Sequence, residues 1–504
     1  MAIKRIFCAI LCLVLCVPGA VLAQEEQNSS FSMAGFDSTQ YRDWAKNEFF
    51  TRVEEKTGVH FEFTQYTDAV AWTKAKADMR PGNADLPEVL FKARLTGAEC
   101  LAMRENGVLI DLKPYLSSCC PNLWAMLEKN PEAMEAITLP DGSIAALPYI
   151  SEIPVQNYIW VNQEWMDNLR LAAPANAQEF KDMLSAFKTR DPNKNGKQDE
   201  IPLGFLGPFD LKFLAHAFGL IANDYNLFVQ DGQVRFMPLE ENYRSFVTWC
   251  RELYTEGLLD KNGFTMNDQL RTVNDSKAAP TYGAIITAMA ADVFQTSWVE
   301  NYVILMPLFY EGNAIYRDYS GPVLRGTFAV TSACKDPEKV LQWVDYLYSE
   351  EGAVLATIGL ENTDYLVDGD GSWRYLDGVQ KNFDTFRGVS LIQGGGADLP
   401  GVSISDFEHR MSGNPIVQKV LEQQKQFNEY VKQPFPYYTL TRGQAEQIAP
   451  LQAQLGYYVD MQLARWVLGE EEISDETFAA FETKLRELGL DKFISFWQNI
   501  LNER

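Results

Sequence analysis

The sequence predicts an α/β protein: a mostly parallel sheet with helices packed on it, in a chain long enough for two interwoven lobes. Three observations predict this. Between residues 31 and 91 strand and helix patterns alternate, which is the rhythm of parallel strands joined by crossover helices. The 504 residues suffice for several domains at ~100–200 residues each, or for one large two-lobed protein. No linker-like segment and no internal repeat divides them, which favours interwoven lobes over beads on a string. From about 444 to 501 the pattern is helical throughout.

Residues 1–23, MAIKRIFCAILCLVLCVPGAVLA, read as a secretory signal. Lys4 and Arg5 form the charged start, Ile6 to Val17 the apolar run, and Val21 and Ala23 the small residues before cleavage. The run is shorter than the ~20 apolar residues of a membrane helix, although a retained anchor is the alternative. Leu15 stands before Cys16 where a lipobox requires a small residue, which speaks against lipidation. Phe31 to Gly35 then reads as a strand. A helix from Gln40 to Lys56 is expected, capped by Asp37-Ser38-Thr39 and ended by Gly58. Val59 to Gln65 alternates as a strand, residues 69–79 as a helix, and Pro87 to Phe91 as a buried strand. Asp141-Gly142 reads as a hairpin turn and Tyr149 to Val161 as extended chain. Helices are expected over 163–169, 176–189, 239–256 and 336–351, the last capped by Ser332 or Asp336 with Pro337 in its first turn. Asp368 to Ser372 reads as a second hairpin turn.

Charge and residue usage exclude several functions. Lys plus Arg is 44 against Asp plus Glu 68, a formal charge of −24, the wrong sign for nucleic acid or an anionic membrane surface. The three histidines, His60, His216 and His409, are far apart, which argues against His-based metal or triad chemistry. Beyond the signal, Cys100, Cys119, Cys120, Cys250 and Cys334 form an odd, sparse set with no C-x-x-C pair, so neither a disulfide framework nor a zinc site is expected.

The sharpest local pattern is the loop 191–200, DPNKNGKQDE. Asp191, Asn193 and Asn195 place oxygens at positions 1, 3 and 5, and Gly196 permits a sharp turn. Lys197 can offer its backbone carbonyl, and Asp199 and Glu200 add carboxylates. Alternate residues of a tight loop converge on one point, and hard oxygen donors suit Ca²⁺. Pro202 occupies the twelfth position, so Glu200 must close a shortened loop. A polar Asn-Gly turn without metal is the alternative.

The stretch from Trp160 to Asp167, with Leu169 to Pro174, Glu179-Phe180, Ala186-Phe187 and the loop Asp191 to Leu203, resembles the extracellular solute-binding proteins of family 1, which serve ABC importers for carbohydrates. The branch with alginate- and other oligosaccharide-binding members is the most similar. Further matches follow in order: Gly107 to Leu112 with Pro114-Tyr115, Leu139 to Gly142, Leu147 to Tyr149, Leu253 to Leu258, Asp345 to Gly352 and Leu488 to Lys492. The resemblance implies a two-lobed periplasmic-binding-protein fold, type II-like. Each lobe would be a mainly parallel sheet flanked by helices, and extra helices would close the chain. It places the first lobe at 24–150 and 307–362, and the second at 151–306 and 363–504. Crossings would lie near Leu147–Ile153 and Leu305–Leu308, with a return after Gly359. It also implies structural calcium on Asp191, Asn193, Asn195, Lys197 (carbonyl), Asp199 and Glu200.

The function so implied is an extracellular binding protein, not an enzyme. It would be a monomer that captures an oligosaccharide between the lobes and delivers it to ABC permease transmembrane subunits. Such a cleft needs apolar platforms for sugar rings and planar polar groups for hydroxyls. The candidates at lobe edges are Phe36, Trp72, Tyr149, Trp160, Trp298, Tyr319 and Trp373, with Asp37, Glu152, Asp292 and Arg325 as polar partners. Trp160 and Trp298 lead because both lie near the implied crossings. Core packing is an equal alternative for each ring. A peptide or other nutrient on the same fold, and a secreted glycoside hydrolase or lyase, stay open as alternatives. The acidity argues against a strongly anionic glycan unless Arg94, Arg325 or similar groups line the cleft.

Overall fold

In the computed structural model the described residues are 29–39, 41–151, 156–265, 280–290, 293–294, 296–299, 301–318, 323–392, 399–411 and 415–503. The expected signal at 1–23 lies outside them. Two sheets organise the chain. The first has six strands in the order Gly401–Val402, Leu147–Ile150, Val323–Val330, Val89–Phe91, Ser29–Phe36 and Val59–Tyr66. The second has four, in the order Tyr302–Ile304, Tyr158–Asn162, Tyr282–Thr287 and Ile201–Gly204.

In each sheet one strand runs against all the others. Val323–Val330 is antiparallel to both its neighbours, and so is Tyr158–Asn162. The remaining pairs are parallel, from Ser29↔Val59 to Phe36↔Tyr66 in unbroken register, and Ile201↔Tyr282 in the second sheet. Both reversed strands are the first that the chain lays down after crossing from the other lobe. A strand that begins at the junction must run away from it, whereas the others end there. The sheets are therefore mainly parallel with one reversal each.

The expected lobe boundaries shift. Leu308 and Tyr316 are buried in the second core, and Tyr316-Arg317 pairs with Val431-Lys432. The second passage thus runs to 318, not 306. The hairpin Tyr365–Val367 with Trp373–Tyr375 and the strand Gly401–Val402 belong to the first lobe, so the final return comes after 411, not 362. Short turn-forming runs, Ser320-Gly321-Pro322 and Ser412-Gly413-Asn414, follow the two points in sequence.

Local elements follow their capping chemistry. Asn47 caps Glu48–Thr57, and Gly58 ends it at φ 66°. Gln40, the expected helix start, lies outside the described residues; Trp44–Lys46 forms a 3-10 turn capped by Asp43. Asp336 caps Pro337–Asp345, with Pro337 in the first turn as expected, but Ser349 opens a separate helix at Glu350–Thr357. The helical tail is three helices, Arg442–Leu468, Asp475–Glu487 and Leu490–Asn502, broken at Gly469 and Gly489 in the left-handed region. Gly142 makes a turn at φ 82°, bonded to Leu139, but the strand after it begins only at Leu147, so it is no hairpin. The five cysteines beyond the signal are free thiols.

Buried polar groups fasten the passages. His216 is buried, with Nδ1 2.6 Å from the Phe213 carbonyl oxygen and Nε2 accepting from the Leu308 N–H at 3.0 Å. Burial pulls its pKa down to about 4, so the ring is neutral and ties the second passage to its own lobe. Asp37, at the end of Ser29–Phe36, accepts from Lys92 Nζ at 2.8 Å and Arg42 Nη1 at 3.0 Å, all three being buried. Arg42 also donates to the Ile392 and Arg387 carbonyls, and Lys92 to Ile392, which pins the segment after Phe383–Val389 to the first lobe. Burial would raise the Asp37 carboxyl, but Lys92 and Arg42 outweigh it and hold it well below the usual carboxylate range. This stabilisation is present above the unfolded carboxylate pKa of ~3.9 and is lost as pH falls towards the depressed folded value.

Replacing Asp37 with Ala strands two buried cations, and a loss of about 3–5 kcal/mol is expected in chemical denaturation at neutral pH. A loss under ~1 kcal/mol, the range of an exposed ion pair, would contradict this account.

Candidate functional site between the lobes

A cavity of about 710 Å³ lies where the lobes face each other. The first lobe contributes Leu95 to Ala98 and Val323 to Arg325; the second contributes Asn223 to Tyr225, Arg317, Asp318, Pro434 to Leu440, Gln452 and Trp497. Its volume falls in the ~300–1,000 Å³ range of small-molecule sites.

Each wall is built by local rules. Thr96 and Glu99 form a capping box that starts the helix Gly97–Glu105 at the rim. The reversed strand bulges between Leu324 and Phe328, and Gly326 there has φ +71°. A Cβ on Gly326 would stand 2.0 Å from the Leu95 carbonyl oxygen, so only glycine fits. The bulge puts Arg325 in the cavity wall, where its Nη1 donates to Thr439 Oγ1 of the other lobe at 3.4 Å and its guanidinium lies 6.0 Å from the Tyr437 ring centre.

On the second lobe, the Asn223 side chain accepts from the Tyr225 and Leu227 N–H groups and forms the turn that presents Tyr225, which is 43% exposed. Tyr225 stacks on Trp497 at 6.1 Å and 18°, and Phe435 meets Trp497 edge-on. Arg317 donates to Asp224 at 2.7 Å and covers the Phe213 ring at 4.9 Å. Pro434-Phe435-Pro436-Tyr437-Tyr438 crosses the cavity as non-helical chain before Thr441 caps Arg442–Leu468. Burial, with Asp318 nearby, pushes the Tyr437 phenol upward, so it remains a neutral hydrogen-bonding group. The site thus offers aromatic side chains, Tyr225 exposed among them, beside planar polar groups.

The loop 191–200 lies elsewhere, next to Ile201–Gly204. Asp191 accepts from the Asn195 and Gly196 N–H groups, Asn193 from Asn195, and Asn195 from Lys197 at 2.7 Å. The Asn193 and Asn195 amides donate to Asp199. Both Glu200 carboxylate oxygens are buried without a hydrogen-bond partner, and burial together with Asp199 and Asp191 raises its pKa. Among the described residues no three His, Cys, Asp or Glu side chains converge as a metal cluster. An ion here would also need the Asn oxygens and the Lys197 carbonyl. The orphaned Glu200 carboxylate and this oxygen set fit a hard cation.

Residues 48–360 match the bacterial extracellular solute-binding protein family. The chain belongs to that family. The fructooligosaccharide ABC transporter substrate-binding protein FusA of Streptococcus pneumoniae serotype 4 is 25% identical over 518 residues, 96% of this chain and 92% of that protein. FusA solved in complex with kestose has a TM-score of 0.74 at 24% identity, covering 94% of this chain and 99% of that one. A FusA EF-hand mutant, solved in complex with fructo-nystose, is equally similar in fold. An extracellular solute-binding protein from Bifidobacterium longum subsp. infantis gives 0.77 at 19% identity, over 94% and 98% of the two chains. The alginate-binding protein AlgQ2, solved without calcium ion, gives 0.69 at 19%, over 95% and 98%. These structures bear out the α/β solute-binding-protein fold expected from the sequence.

Within this family fold, the residues expected at the site have different fates. Arg325 lines the cavity. Trp72, Trp160 and Trp373 are core residues instead: each is buried, and their indole N–H groups donate to the Ala93, Thr287 and Phe407 carbonyls. Tyr149 is buried between the reversed strand and Gly401, and Trp298 is half-buried against the second core. Phe36 is buried beneath the Arg94 guanidinium, and Asp37 is held in its ion cluster. Glu152, Asp292 and Tyr319 lie outside the described residues. The cavity residues that sequence reasoning missed are Tyr225, Arg317, Tyr437 and Trp497. Signals existed for Tyr225 and Tyr437 only: an aromatic inside the polar turn Asn223 to Asn226, and a tyrosine pair after two prolines.

If Trp160 is structural, Trp160→Phe removes its bond to Thr287 and lowers stability by about 1–3 kcal/mol, with ligand affinity unchanged. Thermal unfolding and binding calorimetry on the same variant check both halves.

Proposed function

We propose that this protein is the substrate-binding component of an ABC importer and captures an oligosaccharide in the cleft between its lobes. The observation that carries the reading is that cleft: its two walls come from different lobes, and its lining combines aromatic side chains with amide, carboxylate and guanidinium groups. Sugar rings stack their C–H faces on aromatics while hydroxyls bond the planar groups. Membership of an extracellular solute-binding family and the similarity to FusA and other oligosaccharide-binding proteins support it. Lobe closure around the ligand would create the form that permease subunits recognise. Residues 1–23 serve as the export signal, and the protein works outside the cell as a monomer that binds without chemistry.

Calorimetry against neutral and acidic oligosaccharides tests the reading; micromolar or tighter binding of at least one is expected, with no release of reducing ends. Success with peptides alone would overturn it. Tyr225 is exposed, so Tyr225→Ala should leave the melting temperature unchanged while weakening oligosaccharide binding about tenfold, as loss of one stacking face implies.

The loop 191–200 holds a structural calcium on Asp191, Asn193, Asn195, Asp199, Glu200 and the Lys197 carbonyl. The buried Glu200 carboxylate supports this, since an ion would supply its missing partner. Titrating calcium into EDTA-treated protein should raise the melting temperature, and Glu200→Gln should abolish the rise. No shift at millimolar calcium would remove the metal from the account.

A further inference from the structure

The cleft carries two arginines in different electrostatic states. Arg317 is neutralised by Asp224 at 2.7 Å and seated on Phe213. Arg325 has no carboxylate within 4.0 Å among the described residues; its contacts are the Thr439 hydroxyl and the Tyr437 face. Its position is enforced. The bulge at Gly326 sets its backbone. In a chain with formal charge −24, acids are abundant, yet among the described residues none pairs with this half-buried guanidinium. A charge drawn out of water gains most from a counter-charge with matching geometry, and the guanidinium fork matches a carboxylate.

We infer that Arg325 is a specificity-determining residue that binds the carboxylate of a uronic acid unit in the ligand. This rests on the oligosaccharide reading of the cleft. The same walls carry Asp224, already paired with Arg317, and Asp318. A single guanidinium without a carboxylate partner among the described wall residues suits a mixed oligosaccharide with one uronate among neutral sugars. Tyr437, beside the guanidinium, faces the ring that bears the acid.

The test is calorimetry of the signal-free protein with oligosaccharides bearing a single uronate, each paired with its carboxyl-reduced, neutral counterpart and its methyl ester. At least tenfold tighter binding of one free acid over both neutral forms is expected. Arg325→Gln should erase that difference, and Arg325→Lys should keep part of it, at unchanged melting temperature. Equal affinity for acid and neutral forms overturns the inference while leaving oligosaccharide binding intact. A preference that persists in Arg325→Gln overturns the residue assignment. Binding of no oligosaccharide at all overturns the reading of the cleft as well. The methyl ester comparison uses only the wild-type protein, so it decides the matter even if a variant fails to fold.

Discussion

Gly326 lies against the Leu95 carbonyl with no room for a side chain, and much of the molecule is arranged around that contact. The close approach lets the Leu95 N–H reach the Gly326 carbonyl at 2.9 Å and the Ala93 N–H reach Thr327 at 3.0 Å. The returning strand Val323–Val330 is thereby locked to the loop after Val89–Phe91 as well as to the sheet. Because that strand is reversed, its start lies at the junction of the lobes. One local departure from regular pairing thus closes the first sheet, ends the passage from the second lobe and sets Arg325 in the cleft wall. A bulge aims a side chain that a regular ladder would direct elsewhere.

What the sequence revealed and what it hid divide along the same physical line. Elements whose cause lies within a few residues were legible. The alternation in Val59–Tyr66, the Asn176-capped helix Ala177–Thr189 and the Asp368 to Ser372 turn need only their own side chains. The oxygen spacing of loop 191–200 is local too. Arg325 was legible as a cleft residue, but most of the lining was not. Tyr225 gains its meaning from Trp497, a partner more than a hundred residues away. The tryptophans expected at the cleft illustrate the difficulty. An indole satisfied by a backbone carbonyl inside a core reads the same in sequence as one beside a ligand. Trp160 and Trp72 are separated from Trp497 only by which tertiary neighbours surround them.

The lobe boundaries failed to show for a related reason. A chain that passes between lobes three times hides its boundaries because the described residues beside the passages join one core or the other. His216 shows how. As a neutral ring it accepts from the Leu308 N–H, which a protonated ring could not do. Tyr316 donates to the Asn157 carbonyl, and Asn157 in turn donates to Asp210. Burial pushes Asp210 up to about 7, yet it accepts from both the Leu206 N–H and Asn157, so its role is that of a fixed acceptor. These bonds lie within the second lobe and tie both ends of its passage to one body.

Contacts within a lobe can survive a change in the angle between lobes, whereas contacts across the cleft must change with it. The Asp37 cluster, His216 and the Asp210 group are of the first kind. The Arg325–Thr439 bond is of the second. At 3.4 Å between a guanidinium and a hydroxyl it is a weak interaction, and a ligand that engages Arg325 can replace it without breaking a strong one. Buried polar groups, charged in the first lobe and hydrogen-bonded in the second, thus tie each lobe to itself, and the cleft keeps groups whose partners are exchangeable. That division is what a binding protein requires: bodies stiff enough to define a cleft, and a lining whose polar groups gain by meeting a ligand instead of each other.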